Sequence, residues 1–185
     1  MTHIDMNPRR AIVAVVGGMR APESVLLAAE QIGCGIVEAG HRLVTGGLGG
    51  VMAAASRGAR QSSAWRDGDI IGVLPDVDRE KANEWVDIVI PTGMSYMRNA
   101  LVVAMAHAVI AVGGGAGTLS EIALAWQYGR PVIALDQGEG WSSRLAGQAL
   151  DDRRSLPVVR ATSVAELLKE LQAVLAVPGR TDHAR

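Results

Sequence analysis

The chain has 185 residues, enough for one domain with a sizeable core, and nothing in its composition asks for a second. Hydrophobic residues make up 49% and charged residues 20%, with 22 glycines and no Phe, so the interior must be built from Val, Ile, Leu, Ala and Met, as in an α/β core. The formal net charge is -1 and the 18 basic residues are scattered, which lacks the concentrated positive field that nucleic acid or an anionic membrane surface needs; neither partner is expected.

No apolar run approaches the ~18 residues of a membrane span. The start, "MTHIDMNPRRAIVAVVGG", has no apolar stretch or small-residue cleavage site of signal-peptide type, so a cytoplasmic protein is expected. Cys34 is the only cysteine, which excludes an internal disulfide and fits a reducing compartment. It falls within a predicted helix with no His or Asn signature beside it, so a catalytic thiol is not expected. One domain spans residues 1–185, with residues 1–8 and 177–185 reading as frayed tails.

In chain order, a first strand "AIVAVVG" runs into Gly17 and Gly18. A helix follows from about Pro22 to Ala39, with Val25, Ala29, Ile32 and Ile36 at helical spacing and Gly40 as its stop. The strand "RLVTGG" leads into the glycines at 46, 47, 49 and 50 and a second helix, "GVMAAASRGARQS". Strands "IIGVLP" and "VDIVIPT" come next, then a helix from about Ser95 to Ala106 whose Met97, Leu101, Ala104 and Met105 share one face, as core filler or a subunit interface. The strand "AVIAVGG" opens a third glycine turn, Gly113 to Gly117. A helix predicted to begin at Thr118 carries Leu119, Ile122, Ala123 and Trp126 on one stripe and stops at Gly129 and Pro131. The strand "PVIALD" and a last amphipathic helix, "SVAELLKELQAVLA", complete the pattern; the stretch between Asp136 and Pro157 has weak periodicity and its structure stays open. Continuous apolar strands alternating with helices predict a parallel sheet covered on both faces.

Three glycine turns therefore follow strands, and loops at the carboxyl ends of a parallel sheet form its binding crevice. Glycines let backbone approach a ligand, and a following helix start offers unpaired N–H groups with a partial positive charge, which suits a phosphate. Gly17, Gly18, Gly46, Gly47, Gly49, Gly50, Gly114, Gly115, Gly117 and Thr118 are the candidate phosphate-binding residues. "GGGAGTLSE" contains neither G-x-x-x-x-G-K-[ST] nor G-x-G-x-x-G, and "TGGLGGVM" fits neither pattern, so an ATP-hydrolysing loop and a redox dinucleotide fold are both unsupported.

Arg98, in "PTGMSYMRNALVV", stands just after the fourth strand, where its guanidinium could hold phosphate by paired hydrogen bonds; a solvated Arg or a surface ion pair is the plainer alternative. Met94 and Asn99, from the same segment, join the candidate ligand contacts. Thr118-Leu119-Ser120-Glu121 matches a [ST]-x-x-E capping box, which gives Glu121 a sufficient structural role worth on the order of 1 kcal/mol. A carboxylate facing a ligand's sugar is the other reading. His3, His41, His107 and His183 lack ligand spacing, so no metal site is expected, and there is no G-x-S-x-G nucleophile turn.

The blocks "LVTGGLGGVMAAASRGA", "IIGVLP", "MSYMRN" and "VGGGAGTLSEIALAWQYGRPVIAL" resemble the LOG-type, lysine-decarboxylase-like family, most closely its branch of molybdenum-cofactor-carrier-like proteins. The resemblance implies a Rossmann-like three-layer α/β sandwich with a parallel sheet of six or more strands, assembled as a homodimer or a dimer of dimers. Its best-known members are phosphoribohydrolases that split nucleoside 5′-monophosphates, with a P-G-G-x-G-T-x-x-E pattern and R-K upstream. That maps Arg98 and Glu121 as catalytic, if the protein is an enzyme, and Gly114, Gly115, Gly117 and Thr118 as the phosphate turn, with no metal or other cofactor required. Gly113 stands where that pattern has Pro, and Asn99 where it has Lys. Those departures are features of the carrier-like branch, whose members bind a phosphorylated pterin cofactor or have no assigned activity. The expectation is therefore a binding or carrier protein for a nucleotide-like or molybdopterin-type phosphate; the alternative is a metal-independent phosphoribohydrolase.

Overall fold

A computed structural model describes residues 10–152, 154 and 156–176; the tails expected at either end lie outside them. Among the described residues seven strands form one parallel sheet: β1 (Ile12–Gly17), β2 (Arg42–Thr45), β3 (Ile70–Leu74), β4 (Ile88–Pro91), β5 (Ala108–Val112), β6 (Val132–Leu135) and β7 (Val159–Ala161). Their order across the sheet is β4-β3-β2-β1-β5-β6-β7. Among the described residues six α-helices accompany them: α1 (Glu23–Glu38), α2 (Val51–Gln61), α3 (Asn99–Met105), α4 (Ala116–Gln127), α5 (Gly140–Leu145) and α6 (Val164–Leu175).

Strand alternation sorts the core into two layers. Val13 and Val15 of β1 point into a cluster with Ile32 and Ile36 of α1, Ala55 of α2 and Leu167 and Leu171 of α6. Ala14 and Val16 point the other way, onto Val102 and Val103 of α3 and Ile122, Ala125 and Trp126 of α4. Both faces of the sheet are thus covered, which is why β3 and β5 are apolar without interruption and buried at every residue. The result is the Rossmann-like α/β sandwich. The chain leaves β1 toward β2 on one side, while β5 pairs with β1 on the other, so strand order reverses between them. Loops leaving β1 and β5 diverge there and open a crevice.

Several boundaries differ from those read off the sequence. The expected helix from Ser95 is a 3-10 turn, Ser95–Arg98, followed by a seven-residue α3. Ser95 has φ 51, a left-handed backbone that cannot start a regular α-helix. Met97 and Leu101 are not core filler: they are 71% and 37% exposed, and Val102 and Val103 fill the interior instead. Helix α4 starts at Ala116, two residues before Thr118. The stretch left open between Asp136 and Pro157 contains α5, and β7 adds an edge strand after it.

Candidate functional site

The turn after β5 sets the site. Gly115 stands at the start of α4 with no side chain capping the helix, so the first backbone N–H groups of α4 receive no side-chain acceptor. A Cβ built on Gly115 or Gly117 would meet nothing within 4 Å, so the backbone there faces open space. That space is a cleft of about 800 Å³, within the range of small-ligand sites.

Gly17, Gly18, Gly115, Gly117, Thr118, Arg98, Asn99 and Glu121 all line this cleft. Residues of the loops after β1 and β5 therefore line one cleft, and Leu48 brings in the loop after β2. Gly46, Gly47, Gly49, Gly50, Gly114 and Met94 do not line it. Gly46, Gly47, Gly50 and Gly114 are packed closely by neighbours, whereas a Cβ on Gly49 would meet nothing within 4 Å. Gly46 backs the Arg98 guanidinium, leaving no room for a Cβ, and its carbonyl accepts from Arg98 Nη2 at 3.3 Å. Gly50 presses on Gly18 and Met19, and Gly114 on the Thr118 side chain. Met94 is 44% exposed.

Arg98 is neither a solvated side chain nor part of a surface ion pair. It is buried at 7% exposure, donates through Nη1 to Asn99 Oδ1, and stands 3.6 Å from Glu121 Oε1. Among the described residues its Nε has no hydrogen-bond partner. Asn99 in turn donates to Ser120 Oγ at 2.9 Å, and Ser120 to the Gly117 carbonyl at 2.6 Å, which ties the segment carrying Arg98 to the first turn of α4.

The capping-box reading of Glu121 is overturned. Helix α4 begins before Thr118, no side chain caps it, and Glu121 sits one turn in, 6% exposed and facing Arg98. Burial pushes its carboxyl up from 4.5 to about 7, with Arg98 pulling the other way. The same burial lowers Arg98 from its usual value, against the pull of Glu121. An acid near 7 on the floor of a cleft can accept or supply a proton near neutral pH.

Two parts of the site were not singled out as candidate residues in the sequence. The far wall comes from Met19, Leu48 and Met52 and from the ends of β3 and β4, including Asp76, Val77 and Tyr96. The only available signal was position after a strand's carboxyl end. Beneath the glycine turn, α5 acts as a clamp: Ser142 Oγ accepts from Gly113 N at 2.7 Å and donates to the Leu135 carbonyl at 2.9 Å. Trp141 N donates to the Gly114 carbonyl at 3.0 Å.

Known proteins are similar to this chain over most of its length. A molybdenum cofactor binding protein from Rippkaea orientalis is 34% identical with a TM-score of 0.79, covering 91% of this chain and 99% of its own. The molybdenum cofactor carrier protein of Chlamydomonas reinhardtii is 32% identical with a TM-score of 0.76, covering 91% and 100%. A cytokinin riboside 5′-monophosphate phosphoribohydrolase of Mycobacterium marinum is 31% identical over 174 residues, 84% of this chain and 90% of that one. A sequence model of the SLOG cluster4 family matches residues 10–168. The chain belongs to the SLOG cluster4 family. In this SLOG cluster4 protein, the matched span contains both the glycine turn and the Arg98–Glu121 pair. Among its described residues no helix is long and apolar enough to cross a membrane, and no group of three or more His, Cys, Asp and Glu is placed to hold a metal.

Proposed function

We propose that the cleft binds a small molecule with a phosphate at one end and a flat heterocycle at the other, of nucleotide or pterin type, as a binding or carrier protein. One observation carries this reading: the uncapped start of α4 faces open space over Gly115 and Gly117, beside the buried Arg98 with its unpartnered Nε. Helix N–H groups and a guanidinium are the two protein groups best suited to phosphate oxygens. The cofactor-binding and carrier relatives, similar over 91% of this chain, support the same ligand class. A molybdopterin-type cargo would enter by its phosphate, held by Gly115, Gly117, Thr118 and Arg98. The exposed face of Met97 and Leu101 is taken as a contact between two copies of the chain.

A second reading is favoured by Glu121. Its carboxyl lines the cleft beside Arg98, where it could stabilise an oxocarbenium-like sugar or activate water in splitting an N-glycosidic bond. The phosphoribohydrolase relative is of that class. Asn99, bonded to Ser120 and offering no positive charge, supports binding over hydrolysis.

Titration of the purified protein with nucleoside 5′-monophosphates and a pterin phosphate, followed for both bound ligand and released base, separates the two. Saturable binding without base release is expected. Release of base that disappears in Glu121→Ala, with the fold intact, would replace the carrier reading by the hydrolase.

A further inference from the structure

We propose that Asp76 selects the ring of the ligand, favouring heterocycles that present two adjacent N–H donors on one edge. The 2-amino-4-oxo pyrimidine edge common to guanine and pterins is such a group. This inference rests on the reading of the cleft as a site for a phosphate joined to a ring.

The cleft is chemically graded along the sheet. Gly115, Gly117 and Thr118 follow β5, whereas Pro75, Asp76 and Val77 follow β3. Strands β2 and β1 lie between them, so three inter-strand spacings separate the two ends, about 14 Å. That is the reach of a phosphate, a sugar or short side chain, and a ring laid end to end. Near the β3 end the wall is aliphatic and thioether, from Leu48, Met52 and Val77, a surface suited to the face of a flat ring.

Among the described residues lining the cleft, Glu121 and Asp76 are the carboxylates. Glu121 lies one helical turn from Gly117, on the phosphate side. A ring at the other end therefore meets Asp76. That carboxylate is held in place: Oδ1 accepts from Asp78 N at 3.0 Å, and Oδ2 pairs with Lys81 Nζ. The Lys81 contact, with the backbone bond, keeps it ionised well below the usual carboxylate range. Each oxygen retains a further lone pair. Two parallel N–H donors satisfy both; the corresponding adenine edge offers one N–H donor beside a ring nitrogen whose lone pair would face the carboxylate.

Calorimetric titration of the full chain with GMP, AMP and 6-hydroxymethylpterin phosphate tests this, in the wild type and in Asp76→Asn. Asp76 lies on the surface side of the cleft, with 36% of its side chain exposed, so the variant should melt as the wild type does. In the wild type, GMP or the pterin phosphate should bind about tenfold more tightly than AMP. Asp76→Asn should narrow that difference to within about twofold. Whichever of the two favoured ligands binds more tightly identifies the molecule that carries the edge. Equal affinity for GMP and AMP in the wild type, or a preference that survives in Asp76→Asn, would overturn the role of Asp76 while leaving the phosphate site standing. Failure of all three to bind would remove the cleft reading and this inference with it.

Discussion

Glu121 is held where its charge is poorly solvated, and that has a thermodynamic signature. Its carboxyl is raised from 4.5 to about 7 in the folded chain, so between those values the native state binds the proton that the unfolded state has lost. Stability from this group is fully present below pH 4.5 and is lost as the pH rises through 7. Chemical denaturation of wild type and Glu121→Gln from pH 4 to pH 8 should show the wild type losing stability relative to the variant as pH rises, by up to about 3 kcal/mol. Parallel curves would mean that Glu121 is solvated like an ordinary carboxylate. At this scale the sequence was informative where a residue's place after a strand marks it: Arg98 stood out just after the fourth strand, and Glu121 just after the third glycine turn. Gly46 and Gly50 were assigned to phosphate because a glycine that admits a ligand and one that admits a neighbouring backbone or guanidinium read alike. Asp76 had no motif to mark it.

Among the elements, α5 and the edge strand β7 were hidden in the sequence, and α5 holds the glycine turn from below. It is six residues long, too short for a periodic signal, and its work is done by one hydroxyl and by backbone groups. Gly140 at its start has φ +72 and touches the Gly113 backbone, so a Cβ would both strain the turn and push the two loops apart. Gly140→Ala should destabilise the fold by about 1–3 kcal/mol and weaken ligand binding; a variant with unchanged melting and affinity would show that α5 does not support the site. The starts of the helices near the cleft were misplaced for related reasons. Ser95 adopts a left-handed backbone without being glycine, and α4 begins on a bare glycine while a better capping residue stands further on.

For the molecule as a whole, six strands were legible because apolar continuity and β-branching are local properties, but the expected burial on both faces fails at the edge strand β4, where Ile88 is exposed. Strand order was not, since it depends on which loops cross which face. Order is what brings the turns after β1 and β5 together and separates the ends of β3 and β5 by two intervening strands. Met97 and Leu101 are exposed, and we propose them as the contact between two copies of the chain. Light scattering should give a dimeric mass that falls toward the monomer in Met97→Glu; a monomeric wild type would remove the proposed contact.

The central claim is that phosphate seats on the start of α4. Amide NMR of the labelled protein during a GMP titration reads this directly. The amides of Gly115, Ala116, Gly117 and Thr118 should shift together with Gly18 and saturate along one binding curve. Amides of that turn that stay still while those of Gly49 to Met52, at the start of α2, move instead would contradict the account.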